Sequence, residues 1–89
     1  MDIIKPSKAG TYESNDIYIM LFPGYEENLI ELESVVYDCF GNQIKQVIND
    51  VLKENNINHV LVKAIDKGAL DYTIRARMIT AIKRGVSNE

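Results

Sequence analysis

Hydrophobic and polar positions alternate in two stretches of this chain and recur at helical spacing in two others. Asp16-Ile17-Tyr18-Ile19-Met20-Leu21-Phe22 is rich in β-branched and aromatic residues. Ile17, Ile19 and Leu21 fall on one face, which predicts a strand. Leu29-Ile30-Glu31-Leu32-Glu33 alternates more strictly. Ile30 and Leu32 are expected inward and the glutamates outward, a strand with one wet face. From Ser34 the apolar positions are Val36, Cys39, Phe40, Ile44, Val47, Ile48, Val51 and Leu52. That three-and-four spacing predicts an amphipathic helix ending at Asn55-Asn56. Gly41 interrupts it at about 1 kcal/mol relative to alanine. His59-Val60-Leu61-Val62-Lys63-Ala64-Ile65 reads as a further strand, and Asp66-Lys67-Gly68 as a turn. A last helix is expected from Ala69 to Lys83, with Leu70, Ile74, Met78, Ala81 and Ile82 as its buried stripe. Asp71 and Arg75 stand four apart on it, the spacing of a surface ion pair.

The remaining segments follow from turn chemistry. Residues 1–8 read as an extended lead, because Pro6 cannot donate to a ladder. Thr11 to Glu13 reads as a short strand. Ser14-Asn15 joins it to the next one, since asparagine accepts the left-handed conformation of tight turns. Pro23-Gly24 ends the second strand. Residues 85–89 read as a frayed tail. The order is βββαβα. The fold class is α+β, one small domain over residues 1–89, with a mainly antiparallel sheet and both helices packed on one face. Three successive strands with short connections suggest an antiparallel meander. The place of the fourth strand in the sheet is not decided by the sequence.

Composition narrows the function. A chain of 89 residues has room for one domain and little spare core in which to build a deep active site. That favours a carrier, adaptor or subunit over a self-sufficient enzyme. The net charge of −3 argues against nucleic acid, which needs a basic face. No apolar stretch approaches the ~18–20 residues that span a bilayer. Met1-Asp2-Ile3-Ile4-Lys5-Pro6 lacks the pattern of a signal peptide. Cys39 is the single cysteine, which excludes an intrachain disulfide and fits a reducing cytoplasm.

Few residues offer chemistry. Ser14, at the expected hairpin tip, is either a plain turn serine or an attachment point whose hydroxyl can be esterified by phosphate. Glu13 and Asp16 beside it read as solvated turn acids or as a docking feature for a basic modifying enzyme. Ser34 is the rival serine: Glu33-Ser34-Val35 superficially resembles the Asp-Ser-Leu of ordinary phosphopantetheine carriers. Those carriers are all-helical, whereas this chain begins with strands, so an N-cap role is favoured. His59 has no triad-like spacing to a serine, cysteine or acid and reads as a surface residue at a strand end. Cys39, on an apolar stripe, reads as a small buried hydrophobe. Glu54, Asp66 and Asp71 make no metal pattern. Arg75, Arg77, Lys83 and Arg84 make the last helix basic, as a solvated face or as a surface for an acidic partner or bound phosphates. Tyr12, Tyr18, Met20 and Phe22 must in part face away from Ile17, Ile19 and Leu21, and such an exposed stripe suggests a protein interface.

Ala9-Gly10-Thr11-Tyr12-Glu13-Ser14-Asn15-Asp16 resembles the amino-terminal signature of the acyl carrier (gamma) subunit of citrate lyase. Asp66-Lys67-Gly68-Ala69-Leu70-Asp71, followed by Arg75-Ala76-Arg77, resembles the carboxy-terminal motif of the same family. The resemblance covers nearly the whole chain. It implies a non-catalytic carrier that holds 2'-(5''-phosphoribosyl)-3'-dephospho-CoA through a phosphodiester on the matching residue, Ser14. It further implies a thiol that bears acetyl or citryl while citrate is cleaved to acetate and oxaloacetate. The implied partners are a transferase (alpha) subunit, a lyase (beta) subunit, a prosthetic-group transferase and an acetate ligase acting on the thiol. The family often has a small residue such as glycine after the serine, where this chain has Asn15. A carrier subunit of malonate decarboxylase uses the same group and is the nearest alternative, although the Asp66-to-Asp71 motif favours citrate lyase. A small α/β binding or regulatory module and a minimal enzyme using His59 are the other readings.

Overall fold

The chain is described by a computed structural model over residues 2–87. Its elements are β1 (Ser7–Ala9), β2 (Ile17–Pro23), β3 (Leu29–Ser34), α1 (Tyr37–Glu54), β4 (Val60–Asp66) and α2 (Asp71–Val86). The sheet order is β1-β2-β4-β3. The expected element order and α+β class hold; the meander does not. β2 pairs antiparallel with β1 and with β4, while β3 lies at the far edge, parallel to β4. The reason is the length of α1. A parallel neighbour requires a long crossover, and an 18-residue helix between β3 and β4 supplies one.

The alternation read from β2 sets the layers. Ile17, Ile19 and Leu21 are fully buried, with Val60, Val62 and Ala64 of β4 on the same side. Ile30 and Leu32 of β3 pack against this core as expected. From α1 the core receives Ile44, Val47, Ile48, Val51 and Leu52, and from α2 Ile74, Met78, Ala81 and Ile82. The helices pack on each other, α1 also on β3, and α2 also on β1 and β2. Tyr18, Met20 and Phe22 take the opposite face of the sheet and stay half-buried. Tyr12 reaches over to Tyr18, with ring centroids 4.7 Å apart.

Several local expectations are corrected. The first strand is Ser7–Ala9, starting inside the supposed lead and running one residue past it, and Thr11 to Glu13 is not a strand. Gly10, at φ 97°, breaks the extended run; a Cβ there would lie 1.8 Å from the Ile17 carbonyl oxygen. The lead is pinned rather than loose: Ile3 is buried, and the Ile4 and Lys5 amides donate to the Gly85 carbonyl. For the same reason α2 runs on to Val86, so the expected tail is helical through Val86; residues 88–89 of it, and Met1 of the lead, lie outside the described residues. Cys39, Phe40 and Leu70 are exposed, because the apolar stripes of both helices continue one turn beyond the edge of the core. Gly41 is buried and leaves room for the Tyr37 ring, which a Cβ would approach to 3.1 Å. Arg75 pairs with Glu54, not Asp71, and Asp71 accepts instead from the Gln43 amide. Among the described residues no helix is long and apolar enough to cross a membrane.

Candidate functional site

The loop between β1 and β2 covers residues 10–16, and its tip is a hydrogen-bonded turn. The Asp16 amide donates to the Glu13 carbonyl at 3.1 Å, with Ser14 and Asn15 as the central residues. Asn15 has φ 66°, the left-handed conformation that asparagine tolerates. The turn is fastened from outside as well. The Asn15 amide donates to the Lys67 carbonyl at 2.8 Å, and the Lys67 amide to the Asp16 carbonyl at 2.9 Å. These bonds continue the β2–β4 ladder beyond Ile17 and Asp66. The tip of the loop is therefore held like the end of a strand.

Asp16 anchors the base of the turn. It is only 9% exposed, so it is not the solvated turn acid expected from its neighbours. Arg77 grips it through two bonds, Nε to Oδ1 at 2.9 Å and Nη2 to Oδ2 at 2.8 Å. Such bidentate pairing fixes orientation as well as charge. The Thr11 hydroxyl donates to Oδ2 at 2.7 Å and the Ile17 amide to Oδ1 at 2.8 Å. The Arg77 hydrogen bonds, against the opposing effect of burial, hold the Asp16 carboxyl well below the usual carboxylate range, and Thr11 and Ile17 add to this. Thr11 in turn accepts from the Glu13 amide at 3.2 Å. The four bonds to the Asp16 carboxylate brace the loop from below. Ser14 itself is exposed, and its hydroxyl has no hydrogen-bond partner among the described residues.

Ser34 is placed quite differently. Its hydroxyl donates to Asp66 Oδ2 at 2.7 Å and accepts from the Val36 amide at 3.1 Å. It closes the end of β3 two residues before the N-cap position of α1, which Val36 occupies. Asp66 is 1% exposed and also receives the Gly68 and Ala69 amides at 3.1 and 2.9 Å. The carboxy-terminal motif thus shapes the β4–α2 loop against which the Ser14 turn rests. Gly68 takes φ 94°, and a Cβ there would sit 3.6 Å from the Asn15 side-chain oxygen.

The other candidates fall away from this corner. His59, at φ 65°, has Nδ1 3.1 and 3.0 Å from the Tyr25 and Glu26 carbonyls, so it staples the β2–β3 loop. Among the described residues no group of histidine, cysteine or acidic side chains is arranged to hold a metal ion. The basic face of α2 is divided: Arg77 serves Asp16, Arg75 serves Glu54, and Arg84 donates to the Lys8 carbonyl at 2.8 Å. Sequence reasoning missed the Asp16–Arg77 pair. Its one trace is that the two resembling motifs each contain one partner.

The family profile described as malonate decarboxylase delta subunit (MdcD) matches residues 4–85. A citrate lyase acyl carrier protein from Streptococcus uberis is 50% identical over 84 residues, covering 94% of this chain and 83% of that one. Its counterpart in Lactiplantibacillus plantarum is 51% identical over 86 residues, covering 97% and 90%. The chain belongs to the citrate lyase acyl carrier protein family. The relationship reaches beyond these bacteria: the carrier protein of Pectobacterium atrosepticum is 42% identical over 89 residues, covering 100% of this chain and 93% of that one. Among solved structures, a chain of a Pseudomonas malonate decarboxylase hetero-tetramer in complex with malonate superposes with a TM-score of 0.77 over 92% of this chain and 84% of that one. At 17% identity that likeness shows the shared fold. The identity to the citrate lyase carriers, 42–51% over nearly the full chain, is far higher.

Proposed function

We propose that this acyl carrier holds phosphoribosyl-dephospho-CoA as a phosphodiester on Ser14. The observation that carries the reading is the contrast between a free hydroxyl and its fixed surroundings. Ser14 Oγ is exposed and uncommitted, while the backbone on both sides is bonded to Glu13, Lys67 and, through Asp16, to Arg77. A modifying enzyme can reach such a serine without unfolding anything. Once bound, the group supplies a terminal thiol that keeps an acyl group activated as a thioester. The protein supplies the anchor. Tethering makes delivery intramolecular, at an effective concentration of about millimolar for a short flexible link.

The chain acts on this reading as one non-catalytic domain, serving a transferase and a lyase subunit in turn. A prosthetic-group transferase loads Ser14 and an acetate ligase acylates the thiol. The exposed, unpaired Cys39 suits the reducing cytoplasm. Intact mass and peptide mapping of protein from cells making the whole lyase system test the proposal. The peptide holding Ser14 should carry the added group, and Ser14→Ala should fold normally yet support no citrate cleavage. An unmodified Ser14 peptide under those conditions, or an active Ser14→Ala protein, overturns it.

A further inference from the structure

A groove of about 390 Å³ lies between the start of α1 and the β4–α2 loop. Its volume is within the range of small-molecule sites, about 300–1,000 Å³. Val36, Ile44, Ala69 and Leu70 give it apolar walls, and the Phe40 ring stands at one side, 51% exposed. At the rim, Gln43 Nε2 donates to the two Asp71 carboxylate oxygens at 3.2 and 3.3 Å. Among the described residues, no lysine or arginine lines it.

One wall of the groove, at Gly68, lies beside Asn15 of the Ser14 turn. Gly68, part of its lining, follows Lys67, whose carbonyl accepts from the Asn15 amide at 2.8 Å. Ser14 is therefore one residue from a backbone bond to the loop that lines this groove. An apolar slot with one free aromatic ring, an amide and a carboxylate, and no cation, disfavours phosphate. It favours a flat heteroaromatic ring bearing an amino group. The ring can stack on Phe40, while its amine donates to Asp71 and the Gln43 amide completes the edge.

We propose that this groove binds the adenine of the prosthetic group in cis, so that the arm is held at its root and only its outer part swings. The inference rests on the reading that Ser14 bears that group, and it adds a site on the carrier itself.

Protein isolated from the complete lyase system tests it, by NMR of the adenine H2 and H8 protons alongside the mass of the Ser14 peptide. In the loaded protein these protons should be shifted by the Phe40 ring and show contacts to Phe40 and Leu70. Phe40→Ala, and Phe40→Leu as a milder companion, should return them to free-nucleotide positions while Ser14 stays loaded. In a second experiment AMP is titrated into the unloaded protein. It should perturb the amides of residues 40–44 and 68–71, with Phe40→Ala weakening binding at least about fivefold. A loaded Ser14 with free-nucleotide adenine signals overturns the groove proposal alone. An unloaded Ser14 overturns the underlying reading and this proposal with it. If Phe40→Ala weakens association with the lyase subunits and leaves the adenine signals unmoved, the groove is a protein-docking surface and the proposal fails.

Discussion

Two corners of this molecule are built from the same parts, a serine, a hydrogen-bonded aspartate and a turn, yet they differ in what the serine is free to do. At the β3 corner the Ser34 hydroxyl donates to the buried Asp66 and accepts from the Val36 amide. At the β1–β2 corner the corresponding work around Asp16 is done by Thr11, the Ile17 amide and Arg77, and Ser14 stands outside the network. A serine becomes available for chemistry when neighbouring groups already satisfy the backbone around it. Both corners meet in the β4–α2 loop, where Asp66 orders Gly68 and Ala69 and the Lys67 carbonyl receives Asn15. One loop therefore braces the structural serine and supports the exposed one.

The comparison can be broken most severely at Asp66. Asp66→Ala removes the acceptor for Ser34, Gly68 and Ala69 in a buried setting, and should lower stability by about 3–4 kcal/mol in urea denaturation. A loss below about 1 kcal/mol would show that this corner is not held as described. Arg77→Ala comes next. It leaves a mostly buried Asp16 carboxylate without its cation, and with the guanidinium partly exposed the expected loss is about 2 kcal/mol.

This second variant also has a pH signature. The folded pKa of Asp16 is depressed, so the pair's contribution is present above the unfolded value of about 3.9 and is lost as pH falls toward the folded value. The stability gap between the wild type and Arg77→Ala should be full at pH 7, begin to close below about pH 5 and shrink further through pH 3. A gap that stays constant over that range would count against the pair as the cause. The smallest effects separate the serines themselves. Ser34→Ala should cost about 1–2 kcal/mol and leave loading at Ser14 intact, whereas Ser14→Ala should lie within about 0.5 kcal/mol of the wild type and abolish loading. Denaturation midpoints and peptide masses of the two variants read both halves of that contrast.

How much of this was legible beforehand depends on the range of the interaction. The faces of β2 and β3 follow from alternation within six or seven residues, and the helices from their stripes. The edge position of β3 was not legible, because its alternation is the same beside β2 or beside β4. The three-residue β1 is too short to carry a pattern, and Gly10, which ends it, acts through backbone conformation. The exposure of Phe40 and Leu70 was hidden because periodicity records a face and not where the core stops. Ser14 is singled out in the sequence by the motif around it and by the distant Asp66-to-Asp71 motif, and its role as the attachment point is the proposal made above. The grip of Arg77 on Asp16, 61 residues apart, left no local trace.

The two backbone bonds that tie Asn15 and Asp16 to Lys67 have a mechanical consequence. They make Ser14 a hinge post that does not sway. If Ser14 bears the proposed group, the positions its tether can reach form a shell centred on one point of the carrier, so the carrier's orientation against a partner translates directly into where the tether's far end can arrive. Loosening the post by a single inserted residue would blur that shell, and on the proposed reading delivery of the tethered group would suffer before the fold did.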